Sequence, residues 1–481
     1  MTRIGIIGAG FGGLAAAIEL KKAGHDDIVV FEKADEVGGV WRENTYPGAA
    51  CDVPSPFYSF SFEPNPRWPR RFSQQPAILD YLKQAADTYD VRRHVRFGVE
   101  VSSAAFDDTK NTWTVTLAGG ESVELDVLVA AVGQLSRPSW PEIEGRETFA
   151  GPSFHSAEWD HSVDLTGKRV AVIGTGASAI QFVPEIQREV AHLDMFQRTA
   201  PYLLPRPDTE FHGGHHKLFE RVPATQLAER AGWYAVMEGL STAFLYSKPL
   251  SALIHRMSRR HMAKQTKPVP GLFEKVWPSY PVGCKRILFS SDYLPALAKP
   301  NVDVITTGIA EITPDGVRTT DGELHEADVV IYGTGFRSTE FLSPMAITGV
   351  GGQDLHEQWH EGARAYCGLT VPGFPNLLMM YGPNTNTGGG SIVFFLEVQA
   401  TYVREFVDHL DVAGGPLTVK PEVDQEFDDK LQGRLANSVW SACSSWYRNA
   451  NGRITTNWPG LGLEYKRRAK FDADDYAVVG R

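Results

Sequence analysis

The sequence predicts an α/β fold with two Rossmann-like dinucleotide-binding units, because one pattern occurs twice. In residues 3–20 and again in residues 167–186, an apolar strand pattern runs through a glycine-rich turn into a helix pattern. Between residues 201 and 281, apolar positions recur at three- and four-residue spacing, which indicates helices. We therefore expect two parallel-sheet units, the second of which carries a helical insertion.

The first glycine-rich turn is Gly8-x-Gly10-x-x-Gly13. Its glycines allow a tight turn, close approach of the backbone to a pyrophosphate, and close packing of the helix on the strand. The following strand pattern ends at Glu32, which lies 24 positions after Gly8. An acid at this place holds free ribose hydroxyls, so this turn is predicted to bind a dinucleotide without a 2′-phosphate.

The second turn is Gly174-x-Gly176-x-x-Ala179, and its following strand pattern ends at Arg198, again 24 positions on. A guanidinium replaces the acid of the first unit, and it suits a 2′-phosphate. One chain with both kinds of site is expected to bind FAD in the first unit and NADP(H) in the second.

Later segments indicate that the first unit is discontinuous. Residues 327–336 form an apolar strand pattern that ends in a Gly-Thr-Gly turn, and residues 128–138 are expected to pair with it. Residues 372–384 have the pattern of a buried strand that returns to the first unit and closes the flavin site. The predicted FAD domain comprises residues 1–140 and 375–481, and the predicted NADP domain comprises residues 150–375 with the helical subdomain 201–281 inserted.

Composition excludes several classes of function. The chain has 481 residues and a formal net charge of −11, which argues against nucleic acid and anionic membranes as partners. No apolar run reaches the length of a membrane helix, and the N-terminal residues enter a strand pattern at once. We therefore expect a cytoplasmic protein without a membrane span.

The cysteine pattern predicts reduced thiols and no metal site. No two cysteines have the spacing of a redox-active or zinc-binding pair. The four are Cys51, Cys284, Cys367 and Cys443. A flavin disulfide reductase is excluded for the same reason, since no cysteine pair lies near the first turn.

Two longer motifs make the chain resemble the class B flavoprotein monooxygenases, and within them the Baeyer–Villiger monooxygenases. The pattern F-x-G-x-x-x-H-x-x-x-W-[PD] is complete, with Phe149, Gly151, His155, Trp159 and Asp160. The pattern [AG]-G-x-W-x-x-x-x-[FY]-P-G-x-x-x-D is also complete, with Gly38, Gly39, Trp41, Tyr46, Pro47, Gly48 and Asp52. The resemblance extends from Gly8 to Trp446.

The resemblance implies an FAD- and NADPH-dependent enzyme that inserts one oxygen atom of O2 beside a ketone carbonyl through a flavin C4a-peroxide. The product is an ester or lactone. The partners are then a small-molecule ketone and O2. The alternative is a flavin monooxygenase that oxidises amines or thioethers, although such proteins do not normally end the first motif in Trp-Asp. Natural substrate and oligomeric state stay open at this point.

The resemblance also assigns roles to individual residues. Arg286 stabilises the anionic oxygen adduct, and Asp52 holds Arg286 in place. Lys285 joins Arg198 at the 2′-phosphate, while Trp446 lies in a mobile loop and packs on the nicotinamide nucleotide. Simple packing is the alternative for Trp446, and a turn cap is the alternative for Asp52.

The remaining motif residues are expected to position the cofactors. Gly39 and Trp41 belong to the flavin site, and residues 388–391 are expected near the flavin ring. His155 and Trp159 lie between the two units, and they either couple the domains or pack as a structural pair. The helices of 201–281 are expected to border the access route for substrate, with a membrane-surface helix as the alternative.

Overall fold

The computed structural model describes residues 2–479, and its strands occur throughout the chain. They are β1 Ile4–Ile7, β2 Ile28–Glu32, β3 Val95–Phe97, β4 Val101–Asp107, β5 Thr112–Leu117, β6 Ser122–Leu125, β7 Val127–Ala130, β8 Ser153–His155, β9 Arg169–Ile173, β10 His192–Phe196, β11 Leu203–Leu204, β12 Leu288–Phe289, β13 Val302–Ile305, β14 Ile309–Thr313, β15 Gly316–Thr319, β16 Leu324–Glu326, β17 Val329–Tyr332, β18 Ala346–Thr348, β19 Leu377–Met379, β20 Leu417–Val419 and β21 Tyr476–Val478.

Helices alternate with these strands and are longest in the insertion and near the C-terminus. They are α1 Phe11–Lys22, α2 Val40–Glu43, α3 Gln75–Thr88, α4 Ala179–Ile186, α5 Gly213–Arg221, α6 Pro223–Leu245, α7 Lys248–Thr266, α8 Leu272–Val276, α9 Tyr293–Leu297, α10 Leu355–Gln358, α11 Ile392–Ala413, α12 Pro421–Ala436 and α13 Gly462–Arg468. No helix within residues 2–479 combines the length and the apolar character that crossing a membrane requires.

The first sheet has the order β19-β7-β1-β2-β3, and all its pairings are parallel. Strand β1 is completely buried, because helices cover one face of this sheet and the strands β4 to β6 cover the other. Helix α1 packs against α11 on one face. The late strand β19 pairs with β7, so the predicted return of residues 372–384 to the first unit is confirmed.

The second sheet has the order β13-β10-β9-β17-β8 and is also parallel. The predicted strand in residues 327–336 is β17, but its expected partner was wrong. β17 pairs with β9 and β8 of its own sheet, whereas β7, from residues 128–138, pairs with β1 and β19. Only the ends of these segments meet, at the bridge between Pro138 and Phe336.

A third, mainly antiparallel sheet has the order β18-β4-β5-β6 and extends the first unit. Since β18 pairs with β4, the chain has already returned to the first unit before residue 375, the boundary predicted from the sequence. The physical reason is that residues 341–347 bury apolar side chains against this sheet, as Phe341 and Ile347 show.

The insertion is helical, as the three- and four-residue spacing indicated. Helices α5 to α8 follow one another between residues 213 and 276, and α6 packs against both α5 and α7. A small apolar cluster fastens the insertion to the second unit, with Phe244 and Ile254 from the helices against Tyr202 and Ile287.

Two connectors join the units and run side by side. In the outgoing connector Ser139 donates its backbone N–H to Gly335 of the returning one at 2.8 Å, and Thr334 donates its hydroxyl to the carbonyl of Ser139 at 2.6 Å. The buried ring of His155 packs against one aromatic residue from each connector, Trp140 at 5.6 Å and Phe336 at 6.0 Å between ring centroids.

The structure corrects the prediction that all thiols are reduced. A disulfide joins Cys284 to Cys443 across 159 residues, with their Cα atoms 6.2 Å apart. No spacing pattern predicts this bond, because the two cysteines meet only through the packing of distant segments. Cys51 and Cys367 are free and buried.

Burial of His155 makes the stability of the protein depend on pH. Burial lowers the pKa of His155 from 6.5 to about 4, so its ring is neutral in the folded protein at neutral pH. Between these values the unfolded chain binds a proton that the folded protein does not, so stability falls as the pH falls. The contribution at pH 4 is roughly 3 kcal/mol, at 1.36 kcal/mol per pKa unit.

We expect His155→Phe, which keeps a ring between the connectors, to weaken this dependence. The thermal unfolding midpoint of the variant should fall less than that of the wild type as the pH is lowered from 6.5 to 4. His360→Phe, at an exposed histidine, is the matched control and should follow the wild type. An unchanged pH profile in His155→Phe would contradict the assignment.

Candidate active site

The first glycine turn has the geometry that a pyrophosphate site needs. Gly8 has a φ of +101°, and a Cβ on Gly13 would lie 1.9 Å from the carbonyl oxygen of Gly8. Helix α1 therefore begins directly against the turn and presents its free N–H groups there. The buried carboxylate of Glu32 accepts hydrogen bonds from the backbone N–H groups of Ala9, at 2.7 Å, and Ala34, at 2.9 Å.

Glu32 can hold a ribose as well as the turn. Each carboxylate oxygen accepts one of these hydrogen bonds and keeps lone-pair capacity for another donor. Gly39 lies against the same turn, with its Cα 3.4 Å from a Cβ built on Gly10. The indole N–H of Trp41 donates to the hydroxyl of Tyr58 at 3.2 Å. Gly39 and Trp41 thus border the first turn, where the sequence placed them.

The second turn repeats this construction at the end of β9. Gly174 has a φ of +109°, and a Cβ there would lie 2.4 Å from the carbonyl oxygen of Gly333. Ala179 begins α4 and is buried against Gly333, while a Cβ on Gly176 would have no atom nearer than 3.7 Å. The space above Gly176 is therefore open to a ligand, as the fingerprint requires.

Two cations meet beside the second turn. Burial lowers the pKa of Lys285, and the positive charge of Arg198 lowers it further, so the two cations repel each other. Neither forms an ion pair with a carboxylate among residues 2–479. The ammonium of Lys285 lies 5.1 Å from the ring centroid of Tyr280. Adjacent cations without an acidic partner fit a phosphate, whose charge would relieve their repulsion.

Arg286 and Asp52 form a two-point ion pair. The Nε of Arg286 donates to Oδ2 of Asp52 at 2.9 Å, and Nη2 donates to Oδ1 at 2.8 Å. The side chains are 27% and 23% exposed, so the pair opens to one side only. The charge of Asp52 raises the pKa of Arg286 further above its usual value. Arg286 is therefore a permanent cation held in one orientation.

Two tyrosines missed in the sequence also adjoin Arg286. Burial raises the pKa of Tyr447 to about 12, and the guanidinium of Arg286 opposes this rise. Burial also raises the pKa of Tyr381, again against the charge of Arg286, and its hydroxyl donates to Asn386 at 2.9 Å. Tyr447 directly follows Trp446, so its position beside a motif residue was the available signal, whereas nothing in the sequence marks Tyr381.

The ion pair borders a narrow cavity with mostly apolar walls, here called the active-site cavity. Its residues come from the first unit, from α6, from the segment after the insertion and from the glycine-rich loop before α11. They are Asp52, Val53, Met237, Leu240, Phe244, Arg286, Ile287, Phe289, Gly388 and Gly389. The helical insertion thus contributes a wall of the cavity.

The C-terminal loop, residues 441–447, lies beside the segment that carries Arg286, to which Cys443 and Tyr447 connect it. Trp446 is 40% exposed, and its carbonyl accepts a hydrogen bond from the hydroxyl of Ser338 at 3.3 Å. Its ring adjoins the ring of Tyr447, with centroids 4.4 Å apart. The exposed indole is available to a ligand.

His155 and Trp159 lie apart from this cavity. Trp159 packs against Phe154 and Phe182 in the apolar core of the second unit, with ring centroids 5.1 and 5.3 Å apart. The described contacts of His155 and Trp159 include neither Arg286 nor Asp52. Their position does not support a part in the chemistry.

One dinucleotide turn is associated with an acid, and the other is associated with a pair of cations. Together they define a flavoprotein oxidoreductase that uses a nicotinamide cofactor. A sequence family described as pyridine nucleotide-disulphide oxidoreductase matches residues 5–211. A Baeyer–Villiger monooxygenase of Streptomyces coelicolor is 43% identical over 483 residues, which cover 99% of this chain and 93% of that protein. The chain therefore belongs to the Baeyer–Villiger monooxygenase family.

Solved structures agree with this assignment. An oxidized steroid monooxygenase bound to NADP has a TM-score of 0.88 at 29% identity, with 100% of both chains covered. A structure of OTEMO in complex with FAD and NADP has a TM-score of 0.87 at 27% identity, with 97% of both chains covered. The predicted fold class, cofactors and Baeyer–Villiger activity are confirmed, and the amine- and thioether-oxidising alternative is not favoured.

The first turn leaves no room for a methyl group at Gly13. We expect Gly13→Ala to force the turn apart and to lower the flavin content of the purified protein to about a tenth or less, since 1.4 kcal/mol is a tenfold change in binding. The ratio of flavin absorbance to protein absorbance measures this. Gly232→Ala, in an open position on α6, is the control and should keep its flavin. Full flavin content in Gly13→Ala would refute the assignment of this turn.

Proposed function

We propose that the chain oxidises an apolar ketone to an ester or lactone in the active-site cavity, with Arg286 and Asp52 as its catalytic residues. The observation that carries this proposal is the two-point ion pair at the edge of an apolar cavity. Such a pair supplies a fixed positive charge where water is largely excluded. Negative charge that develops on oxygen during the reaction is stabilised most strongly in such surroundings.

The residues present suit both cofactors. Glu32 and the first turn would hold FAD, while Arg198, Lys285 and the second turn would hold NADP. When bound, NADPH supplies a hydride and FAD supplies oxygen activated for attack on the carbonyl.

Asp52 uses two of the five N–H groups of Arg286. A guanidinium keeps its charge at any pH in the working range, so the remaining three N–H groups stay available as donors. They can donate to a negatively charged oxygen in the cavity. Asp52 prevents the side chain from turning away, which makes the stabilisation preorganised.

The walls of the active-site cavity indicate the class of substrate. Met237, Leu240 and Phe244 of α6 face Ile287 and Phe289 across it. Apolar walls favour an uncharged ketone, and they keep out water that would protonate the activated oxygen. In this proposal the helical insertion determines which ketones fit.

The C-terminal loop and the connectors complete the proposal. The exposed indole of Trp446 would pack on the nicotinamide nucleotide, and closure of the loop would cover Arg286. His155 touches an aromatic residue of each connector, and Trp159 anchors the same segment in the second unit, so both are proposed to couple the positions of the two domains. A cytoplasmic location belongs to the proposal, and cell fractionation would test it.

The proposed role of Arg286 concerns ester formation and not the earlier reduction of the flavin. We expect Arg286→Ala to keep the NADPH-driven loss of the yellow flavin absorbance but to lower ester formation by about 100-fold or more, the usual effect of removing a charge-stabilising donor. A panel of linear, cyclic, aryl and polycyclic ketones, with chromatography of the products, provides the measurement. Ester yield at the wild-type level would remove Arg286 from its role.

Two further variants sharpen this experiment. Asp52→Asn keeps hydrogen-bonding capacity but loses the charge that orients Arg286, so its ester formation should lie between those of the wild type and Arg286→Ala. Arg259→Ala removes an exposed arginine of α7 and is the matched control, with wild-type yield expected.

The adjacent cations should distinguish NADPH from NADH. We expect Arg198→Ala and Lys285→Ala each to lower kcat/KM for NADPH by roughly tenfold to 100-fold, because a charge-assisted hydrogen bond to phosphate contributes about 1.5–3 kcal/mol. The value for NADH, which lacks the 2′-phosphate, should change little. Lys248→Ala, at an exposed lysine, is the control. An equal loss with both nucleotides would show that the contact is not with the 2′-phosphate.

A further inference from the structure

The disulfide connects two segments that the proposed function uses. Cys284 immediately precedes Lys285 and Arg286, and Cys443 lies in the C-terminal loop three residues before Trp446. We propose that Cys284 and Cys443 form a reversible thiol–disulfide site that fastens the C-terminal loop over the catalytic arginine when oxidised and releases it when reduced. The effect on cofactor exchange rests on the proposed role of Trp446.

The backbone positions suit a bond that forms and breaks without rearrangement of the fold. The Cα atoms are 6.2 Å apart, within the range that a disulfide spans. Cys284 follows a turn in which its N–H donates to the carbonyl of Pro281 at 3.1 Å. It is completely buried, whereas Cys443 is half-buried and follows an exposed turn. A small reagent therefore reaches the site from the side of Cys443.

Few other contacts hold the middle of the C-terminal loop. The carbonyl of Trp446 accepts one hydrogen bond from Ser338, and the carbonyl of Ser441 accepts one from Arg448 at 3.3 Å. The side chains of Ser444 and Trp446 face solvent. Tyr447, by contrast, is buried beside Arg286 and anchors the end of the loop. Reduction would therefore free the stretch between Trp440 and Tyr447, both of which stay buried.

The other two cysteines do not compete for oxidation. Burial raises the pKa of Cys51 well above its usual value and that of Cys367 to about 12, so little reactive thiolate forms at either. Neither has a second cysteine bonded to it. The pair Cys284–Cys443 is thus the proposed site of oxidation.

The oxidant in this proposal is hydrogen peroxide. The thiolate of Cys443 attacks one peroxide oxygen, the O–O bond breaks, and a sulfenic acid and hydroxide form. The thiolate of Cys284 then attacks the sulfur of Cys443 and displaces a second hydroxide. Two thiols and one peroxide molecule give one disulfide and two molecules of water, with both electrons passing to the peroxide. A small thiol such as reduced glutathione reverses the reaction by thiol–disulfide exchange.

The site itself is tested by chemistry that does not depend on activity. The full-length holoenzyme is reduced, freed of reductant and exposed to hydrogen peroxide, and it is then denatured in the presence of an alkylating reagent, so that the buried thiols also react, before mass spectrometry. We expect four alkylated cysteines in the reduced protein. After peroxide we expect two, with a cross-linked peptide that contains Cys284 and Cys443, and a return to four after glutathione. Four free thiols after peroxide, or a different pair, would overturn the proposal.

The consequence for the loop is tested by the release of NADP⁺, followed by stopped-flow fluorescence in the oxidised and reduced holoenzyme. We expect release to be at least several-fold slower in the oxidised form. Cys443→Ser should show the fast rate under both conditions, and Cys284→Ser should agree if it folds. Cys367→Ser, at a buried cysteine outside the pair, should keep the difference between the two forms. Equal rates in oxidised and reduced wild type would refute control of the loop.

The two proposals fail in different ways. If Arg286→Ala still forms ester, the assigned catalysis is wrong, yet the thiol count and the cross-linked peptide stand. If the peptide is absent, the thiol–disulfide site is wrong, yet ester formation still reports on Arg286.

Discussion

The ion pair between Arg286 and Asp52 is the interaction on which the rest of the active site depends. The two residues are 234 positions apart in the chain, and each lies next to residues that are assigned to a different cofactor. Asp52 ends the motif that borders the first glycine turn, and Arg286 follows Lys285, the proposed contact to the 2′-phosphate. The pair therefore ties the flavin side of the molecule to the nicotinamide side through one carboxylate and one guanidinium. Because both side chains are partly shielded from water, the fixed cation acts on a nearby negative charge far more strongly than a surface arginine would.

Both dinucleotide units place a charged side chain at the end of the strand after the glycine turn, but the two charges are opposite. In the first, Glu32 is buried and uses its carboxylate to brace the turn itself through Ala9 and Ala34. In the second, Arg198 is exposed, and burial lowers the pKa of Lys285, which the positive charge of Arg198 lowers further. A carboxylate repels a phosphate, whereas a pair of cations attracts one. The connectors between the units lie together at the buried ring of His155, which contacts one aromatic residue of each connector.

The C-terminal loop is held by few hydrogen bonds, yet it carries three residues that bear on the active site. Trp446 is exposed, Tyr447 is buried beside Arg286, and Cys443 is joined to Cys284. One short segment thus holds a candidate contact to the nucleotide, a neighbour of the proposed catalytic cation and a covalent link. The disulfide and Tyr447 bring this loop next to the Cys284–Arg286 segment. A redox change at the disulfide would act on cofactor exchange without touching the reacting groups.

The sequence by itself determined the local features. Gly8, Gly13 and Gly174 mark the two turns, because a positive φ angle or a close backbone contact excludes a side chain at each of them. Glu32 and Arg198 follow the turns at a fixed distance along the chain. The tertiary structure alone decided which distant segments meet. It paired β17 with β8 and β9, returned the chain to the first unit through β18, placed Tyr381 beside Arg286, and joined Cys284 to Cys443. Such contacts depend on how much apolar surface whole helices and strands bury against one another. The spacing of residues in a single sequence does not contain this information.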